Sequence, residues 1–388
     1  MKYRTKISES CYFIAYILFV FSWFNRDVEN IDVFYLYTNI AKNASLIFLV
    51  VGAFFTSPPP KQIKWFMLLL AFDVMLFIRT DTLFFIMITL FAYLAIKIPN
   101  STIIKIAFGV LLFFAIGTII LVFAGVYSDV ITRRWANSAE RHSFGFYHSN
   151  VLPLVFSYLV AYYLLLIKHG HQRLTYMLIF IIDILLYHFC GSRNAFFIVI
   201  FLIVSRIYSD RNRKEAKTLG WLRKGIEQGL YMGACFCVWG YSLISFILPH
   251  LVNTDEIWSY IDYITSFRFT YIHNKMQILG VELMPKLTNK TFFSNQIVID
   301  NGFAYVFLRY GILTTFLLGL LVFMTAKRYR DNLFVLMVII IISTQNFIDN
   351  DIFDYSCLPF IIIGIKCGIG VWKERENARI SQHINEYF

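Results

Sequence analysis

The chain has 388 residues, of which 58% are hydrophobic and only 15% are charged, and 41 of them are phenylalanine. This composition indicates a polytopic membrane protein rather than a soluble enzyme. The net charge of +11 is explained by membrane topology and by attraction to anionic lipids, so it does not indicate nucleic-acid binding. The six cysteines are scattered, and they show neither metal-ligand spacing nor a disulfide framework.

Long apolar runs predict helices that cross a membrane. A bilayer core of about 30 Å takes roughly 20 apolar residues per helix, and the alternating polarity of barrel strands does not appear. In chain order the predicted spans are 8–24, 36–56, 63–78, 82–98, 103–125, 151–167, 174–189, 194–208, 226–248, 303–324, 332–347 and 355–372. The first run has no cleavage pattern after it, so we expect a span and not a signal peptide. The predicted fold class is an all-α polytopic membrane protein with about twelve transmembrane helices.

Basic residues orient these helices. Lys and Arg concentrate on the cytoplasmic side of membrane proteins. Placing the N-terminus in the cytoplasm assigns most of the 35 Lys and Arg residues to inner segments, including a basic loop at 209–225 and a tail at 373–388. It leaves outer loops at 126–150 and 249–300. We therefore predict a single integral membrane domain, 1–388, with both termini in the cytoplasm.

Polar residues gather on the predicted outer face. The stretch "ERHSFGFYHSN" (140–150) closes the first outer loop, and the same face receives "CGSRN" (190–194) and "FIDNDIFDY" (347–355). Basic residues also lie there against the positive-inside bias, namely Arg26, Arg79, Arg133, Arg134, Arg141, Arg193, Arg268, Lys275, Lys286 and Lys290.

These outer arginines favour anion binding. The planar donors of arginine match phosphate oxygens, and Arg193 opens a predicted helix, where free N–H groups and the helix dipole already attract an anion. Several arginines converging beside a bilayer would suit a lipid diphosphate. The alternative is that they pair with outer acidic residues or with lipid phosphates.

Four segments between residues 140 and 313 carry a resemblance to a known family. "RHSFGFYHSN", "CGSRNAFF", "TSFRFTYIHNKMQILGVELM" and "IDNGFAYVFLRYGIL" occur in the order of, and are similar to, sequence elements of bacterial O-antigen and capsular polysaccharide polymerases. This Wzy-type family is related to the O-antigen ligases. Ser149 and Phe267 depart from the pattern, where proline and glycine are usual. Asp300 stands where the ligases have histidine, which favours a polymerase.

The resemblance implies a GT-C-like, metal-independent glycosyltransferase that needs no cofactor. Its substrates would be undecaprenyl-diphosphate-linked oligosaccharide repeats and the growing polysaccharide, joined on the outer face of the bacterial cytoplasmic membrane. The lipid bilayer, a chain-length regulator and a flippase would be its partners, and nucleic acid would not. The products would be O-antigen, capsule or exopolysaccharide.

The same resemblance implies roles for particular residues. Arg141, Arg193 and Arg268 would neutralise the departing diphosphate, where preorganised donors stabilise developing charge best. Asp300 would be the general base. The remaining predicted substrate contacts are Arg134, His142, His148, Asn150 and Asn301.

Each assignment has a structural alternative. Asp300 precedes Asn301 at a predicted helix start, which is also typical of an N-cap. His148 at a helix mouth suits an interfacial histidine. Four aromatic residues of the 249–300 loop would either stack on sugars or form an interfacial belt; they are Trp258, Tyr260, Tyr263 and Tyr271.

A second functional class is a transporter, such as a flippase for lipid-linked oligosaccharide. Transporters place ionisable residues within the membrane and show repeated halves. We assign only Lys42, Asp73, Asp183 and Arg309 to the spans and the other ionisable residues to loops, span ends and the tail, and the two halves show no repeat. An O-antigen-ligase-type transferase is a further alternative, because the same arginines would serve both reactions.

Overall fold

A computed structural model describes residues 2–24, 31–133, 139–167, 172–214, 220–251, 256–264, 267–285, 299, 301–350 and 354–369. The helices are α1 (Lys2–Phe24), α2 (Ile31–Phe55), α3 (Pro60–Thr80), α4 (Phe84–Leu94), α5 (Asn100–Phe123), α6 (Val151–Leu166), α7 (Arg173–Cys190), α8 (Arg193–Lys214), α9 (Gly220–Leu251), α10 (Glu256–Ile264), α11 (Arg268–Leu279), α12 (Gly302–Tyr310), α13 (Ile312–Arg328), α14 (Leu333–Ile348) and α15 (Leu358–Gly368). The strands β1 (Ile131–Arg133) and β2 (Glu140–His142) form an antiparallel ribbon. Every predicted apolar run contains a helix, and the prediction of an all-α fold is confirmed apart from this ribbon.

Helix length and composition fit a membrane protein. Among the described residues, five helices are long and apolar enough to cross a bilayer: Lys6–Phe24, Leu36–Phe55, Asn100–Phe123, Arg173–Cys190 and Lys224–Leu251. The shorter apolar helices are Phe84–Lys97, Val151–Leu166, Leu333–Ile348 and Leu358–Gly368. An apolar exterior of this extent marks an interaction surface, and a lipid bilayer satisfies it.

Helix α7 shows this outward apolar pattern. Met177, Ile181 and Leu185 are 60%, 49% and 50% exposed, whereas Asp183 on the opposite face is buried. The helix thus presents its hydrocarbon to the surroundings and its acid to the interior. That arrangement is the reverse of a helix on the surface of a soluble domain.

Hydrogen bonds show which helix ends lie together. The β1–β2 ribbon lies at one end of the bundle, where Arg141 of β2 donates to the carbonyl of Cys190, the last residue of α7. We call this the ribbon end. At the opposite end, Ser8 near the start of α1 bonds to Thr56 just after α2, at 2.6 Å. Neighbouring helices such as α1 and α2 therefore run antiparallel.

Aromatic residues build the core between α1 and α4. The rings of Tyr12, Tyr16 and Phe19 all lie within 6.0 Å of the Phe91 ring in edge-to-face geometry. Such pairs contribute about 1 kcal/mol each beyond their burial. At the ribbon end, Phe24 contacts Phe146, with ring centroids 5.3 Å apart, and so ties the 126–150 loop to this core.

The predicted span 303–324 is not one helix. It breaks at Gly311, which has φ +86° and separates α12 from α13. The first N–H groups of α13 are bonded from outside the helix: Ile312 donates to Glu282 O at 3.0 Å, and Leu313 donates to Leu283 O at 3.1 Å. The backbone of the predicted outer loop, 249–300, is therefore docked against the break. Sequence hydropathy missed the break because both halves are apolar.

Replacing Gly311 with alanine is expected to destabilise this junction. An added Cβ would lie 2.6 Å from the Leu283 carbonyl oxygen, and the backbone conformation of Gly311, φ +86° and ψ 163°, is essentially restricted to glycine and costs another residue about 1–3 kcal/mol. We expect a clearly lower melting temperature for the purified protein in detergent. The matched control is Gly240→Ala in α9, where a Cβ meets nothing within 4 Å. Equal melting temperatures for the two variants would contradict a structural role for Gly311.

Two basic residues are more buried than the sequence predicts. Arg206 of α8 and Lys366 of α15 are only 2% and 0% exposed, although the sequence prediction assigns both to loop or tail segments. Arg206 donates to Ile167 O at 3.0 Å, and Lys366 donates to Ile98 O at 2.5 Å. Each side chain thus donates to a backbone carbonyl at the end or start of another helix. Local sequence does not reveal such a contact, because the two residues are far apart in the chain.

Two further predicted segments have different outcomes. The basic loop predicted at 209–225 is shorter than expected, because α8 continues to Lys214 and α9 begins at Gly220. The predicted tail, 373–388, lies outside the described residues.

Candidate functional site

The ribbon places Arg141 against the end of α7. In the antiparallel register Thr132 pairs with Arg141, and the guanidinium then reaches across to two acceptors. Its Nε donates to the Cys190 carbonyl at 2.7 Å, and its Nη2 donates to Asn150 Oδ1 at 2.5 Å. The structure thus brings together two predicted segments, "RHSFGFYHSN" and "CGSRN".

Gly191 makes this contact possible. It ends α7 in a left-handed conformation with φ +67°, and an added Cβ would lie 2.8 Å from Arg141 Nε. Two residues later Arg193 begins α8 with an exposed side chain. Arg193 has no hydrogen bond or ion pair within the described part of the chain. The predicted helix start at Arg193 is confirmed.

His142 is held by a carboxylate that sequence reasoning did not select. Asp129, after α5, lies with Oδ2 2.6 Å from His142 Nδ1. Its Oδ1 accepts the backbone N–H groups of Ser143 and Phe144 at 2.9 and 2.8 Å. Burial alone would raise the pKa of Asp129, but the hydrogen bonds from His142 and these two amides outweigh it and lower the pKa below its ordinary value. The carboxylate is therefore charged at neutral pH.

His148 and Asn150 lie at the start of α6, as predicted. His148 Nδ1 accepts the backbone N–H of Asn150 at 3.1 Å, and the Asn150 side chain accepts from Arg141. Ser149, between His148 and Asn150, is fully buried. Asn150 thus orients an arginine, a role that its sequence position alone did not indicate.

A second cluster surrounds Arg268 at the start of α11. Its Nη1 donates to the Ile348 carbonyl, and its Nη2 lies 3.6 Å from Asp349 Oδ1. The preceding residue, Phe267, has φ +60°, a left-handed conformation that favours glycine over a residue with a side chain. The neighbouring Asp262 offsets that strain, because its backbone carbonyl accepts Phe267 N at 2.7 Å.

Asn301 caps α12. Its Oδ1 accepts Ala304 N at 2.8 Å and the Ser245 hydroxyl at 3.1 Å, and only 3% of the residue is exposed. The N-cap considered for Asp300 therefore belongs to Asn301. Asp300 and Arg134 lie outside the described residues.

The two clusters lie at the same end of the bundle. Helices α6 and α14 are joined by Gln345 Nε2 donating to Ser157 Oγ at 3.0 Å. Ser157 lies two turns from Asn150 on α6, and Gln345 lies one turn from Asp349 after α14. The helix ends beside Arg141, Arg193 and Arg268 therefore lie at the same end of the bundle.

The predicted aromatic residues lie at this end as well. Tyr260, Tyr263 and Tyr271 are 65%, 64% and 61% exposed, whereas Trp258 is half-buried. Across the described ranges, no group of three or more His, Cys, Asp or Glu side chains is arranged to hold a metal.

Two acidic residues lie inside the bundle away from these clusters. Asp73 accepts the Thr89 hydroxyl at 2.5 Å. Asp183 is 2% exposed, and its Oδ2 has no hydrogen-bond partner among the described residues. The structure leaves these acids apart from the predicted arginines.

No protein-family model, no curated protein and no solved structure matches this chain.

Proposed function

We propose that the protein is a GT-C-like polysaccharide polymerase that joins lipid-diphosphate-linked oligosaccharide repeats. The single observation that carries this proposal is the position of Arg141. It is held between Cys190 and Asn150, and Arg193 begins the next helix only three residues after Cys190. Arginines fixed in this way at a helix start suit the phosphates of a lipid-linked substrate.

The reaction needs stabilisation of a leaving diphosphate. Arg141 is preorganised by acceptors on two helices, so it would need little reorganisation as negative charge develops. Arg268 is positioned by Ile348 and Asp349 in the second cluster. In this proposal Arg141, Arg193 and Arg268 bind the donor diphosphate, and a general base accepts the proton of the attacking hydroxyl. The sequence predicts Asp300 for that role.

The proposed topology follows from the positive-inside rule. Twelve spans with both termini in the cytoplasm place the ribbon end outside the cytoplasmic membrane. There the arginines meet lipid-linked repeats that a flippase has delivered. The exposed tyrosines of α10 and α11 would then provide stacking surfaces for the polymer.

The test is deletion of the gene followed by complementation. Lipid-linked glycans and surface polysaccharide are separated on gels for the deletion strain carrying wild type, Arg141→Ala, Arg268→Ala or Asp300→Asn. The matched control is Arg133→Ala. It removes an arginine of the same ribbon, one whose side chain forms a solvent-exposed ion pair with Glu140. Antibody detection in membranes confirms that each variant is present.

Loss of long polymer, with single repeats accessible outside the membrane, is the expected phenotype of the deletion strain. Wild type and Arg133→Ala should restore polymer, and the Arg141 and Arg268 variants should not. Accumulation of finished lipid-linked polymer would indicate a ligase instead. Full rescue by both arginine variants would contradict the proposed site.

A transporter is the second candidate, favoured by the buried Asp183 Oδ2, which has no hydrogen-bond partner in the described part of the chain. Ionisable residues inside a membrane commonly mark a transport path. In that case the deletion strain would retain single repeats on the cytoplasmic face. Asp183→Asn, rather than Arg141→Ala, would then fail to complement.

A further inference from the structure

The Asp129–His142 pair has a defined hydrogen-bonding direction. Asp129 uses Oδ1 for two backbone N–H groups and Oδ2 for His142 Nδ1. An ionised carboxylate only accepts hydrogen bonds, so Nδ1 of the neutral imidazole carries the proton. Nε2 is then the ring's acceptor.

We propose that His142 accepts the proton of the attacking sugar hydroxyl during glycosyl transfer, with Asp129 as its positioning residue. This inference rests on the proposed polymerase function, and it replaces Asp300 as the base. Its basis is a tautomer-fixed imidazole on the same strand as Arg141, with both side chains reaching the end of α7.

The location of His142 suits that role. The ring centroid of His142 lies 6.1 Å from that of Phe189, and Arg141 is bonded to the next residue, Cys190. Both side chains therefore approach the end of α7 from a strand that Asp129 and the ribbon hold in place. The imidazole is also accessible, since 31% of the His142 side chain is exposed.

The proposed step balances as follows. The hydroxyl oxygen of the acceptor sugar forms a bond to the anomeric carbon of the donor while its proton moves to Nε2 of His142. The bond between the anomeric carbon and the phosphate oxygen breaks, and its electron pair leaves with the lipid diphosphate. Asp129 stabilises the imidazolium that forms, and water later removes the proton.

Few other charged groups surround this ring. Asp129 approaches it from the segment after α5, and Glu140 and Arg141 precede it on β2. Glu140 is turned to Arg133 across the ribbon, at 2.5 Å. On the α7 side His142 faces the ring of Phe189, whose neighbour is the exposed His188. Among the described residues, Asp129 is therefore the carboxylate in contact with the His142 ring.

The test uses purified full-length protein and single lipid-linked repeats extracted from the deletion strain. Polymer formation is measured between about pH 5 and pH 9 for wild type, His142→Gln, Asp129→Asn, Asp300→Asn and the control His188→Gln. We expect His142→Gln to reduce turnover at least about 100-fold, the usual contribution of a general base. Its binding of the lipid-linked repeat should be unchanged.

Asp129→Asn tests positioning separately. Its amide oxygen can still accept the Ser143 and Phe144 N–H groups, but its NH₂ would donate to Nδ1 and move the proton to Nε2. We expect low turnover, because Nε2 then carries the ring proton and cannot accept the proton of the sugar hydroxyl. His142→Ala should regain part of its activity when imidazole is added.

Several outcomes would overturn this assignment. If His142→Gln keeps wild-type turnover and the same loss of activity at low pH, the Asp129–His142 pair has only a structural role. So would a folded His142→Ala that imidazole does not rescue. A pH profile that loses its acid limb only in Asp300→Asn would return the base to Asp300. If wild type forms no polymer at all, the proposed function is itself wrong, and the role of His142 fails with it.

Discussion

Gly191→Ala is expected to abolish polymer formation almost as completely as loss of Arg141 itself. The new Cβ would lie 2.8 Å from Arg141 Nε and 3.3 Å from its Cδ, at a backbone φ of +67°. The guanidinium must then leave the Cys190 carbonyl. A displacement of about 1 Å at a reacting centre can cost about 100-fold in rate. The measurement is polymer length and amount in the complemented deletion strain.

A double mutant shows whether Gly191 acts through Arg141. If it does, Gly191→Ala combined with Arg141→Ala should be no worse than Arg141→Ala alone, because interacting residues are not additive. Gly117→Ala in α5, where a Cβ meets nothing within 4 Å, is the matched control and should retain polymer. Normal polymer in a Gly191→Ala strain would contradict the proposal that the hydrogen bond from Arg141 to the Cys190 carbonyl positions this arginine for catalysis.

The second large effect concerns stability and is expected from Lys366→Met. The buried ammonium donates to Ile98 O at 2.5 Å and to Asn100 Oδ1 at 3.0 Å, and methionine removes both bonds while keeping most of the volume. A buried acceptor left unsatisfied costs about 1–3 kcal/mol. We therefore expect a loss of about 3 kcal/mol, seen as a melting temperature lower by about 5 °C or more in detergent.

The control for this variant is Lys97→Met. Lys97 lies in the turn next to Ile98, but its side chain is exposed, so its replacement should leave the melting temperature nearly unchanged. Asn100→Ala should reproduce part of the Lys366 effect, because it removes one acceptor of the Lys366 ammonium. It also removes the bond that Asn100 donates to Tyr329 OH at 2.7 Å. Equal melting temperatures for the two lysine variants would show that the buried contacts contribute little.

Local sequence patterns were sufficient for the positions of most helices. Apolar runs such as 103–125 and 174–189 correspond to α5 (Asn100–Phe123) and α7 (Arg173–Cys190), because helix formation depends on neighbouring residues and on hydropathy. The predicted start of α8 at Arg193 follows the same reasoning. Hydropathy could not detect the break at Gly311, since that break depends on the backbone of residues 282 and 283 docking from another segment.

The candidate site was predictable only in part. The sequence identified Arg141, His142 and Asn150 as a polar group on the 126–150 loop, but it did not indicate Asp129 as the partner of His142. It also left Arg268 without its partner, Asp349. Pairs of this kind form only where the ends of separate helices come together. Residue type and spacing along the chain do not show which helix ends are neighbours.

The sequence by itself determined the membrane-type composition, the helical character and the order of the polar segments along the chain, because each of these follows from local chemistry. Only the tertiary structure decided that Gly191 leaves space for Arg141, that Asp129 orients His142 and that Lys366 satisfies Ile98. Each of these contacts joins residues from separate parts of the chain. Their energies arise only when packed helices bring donors and acceptors within hydrogen-bond distance.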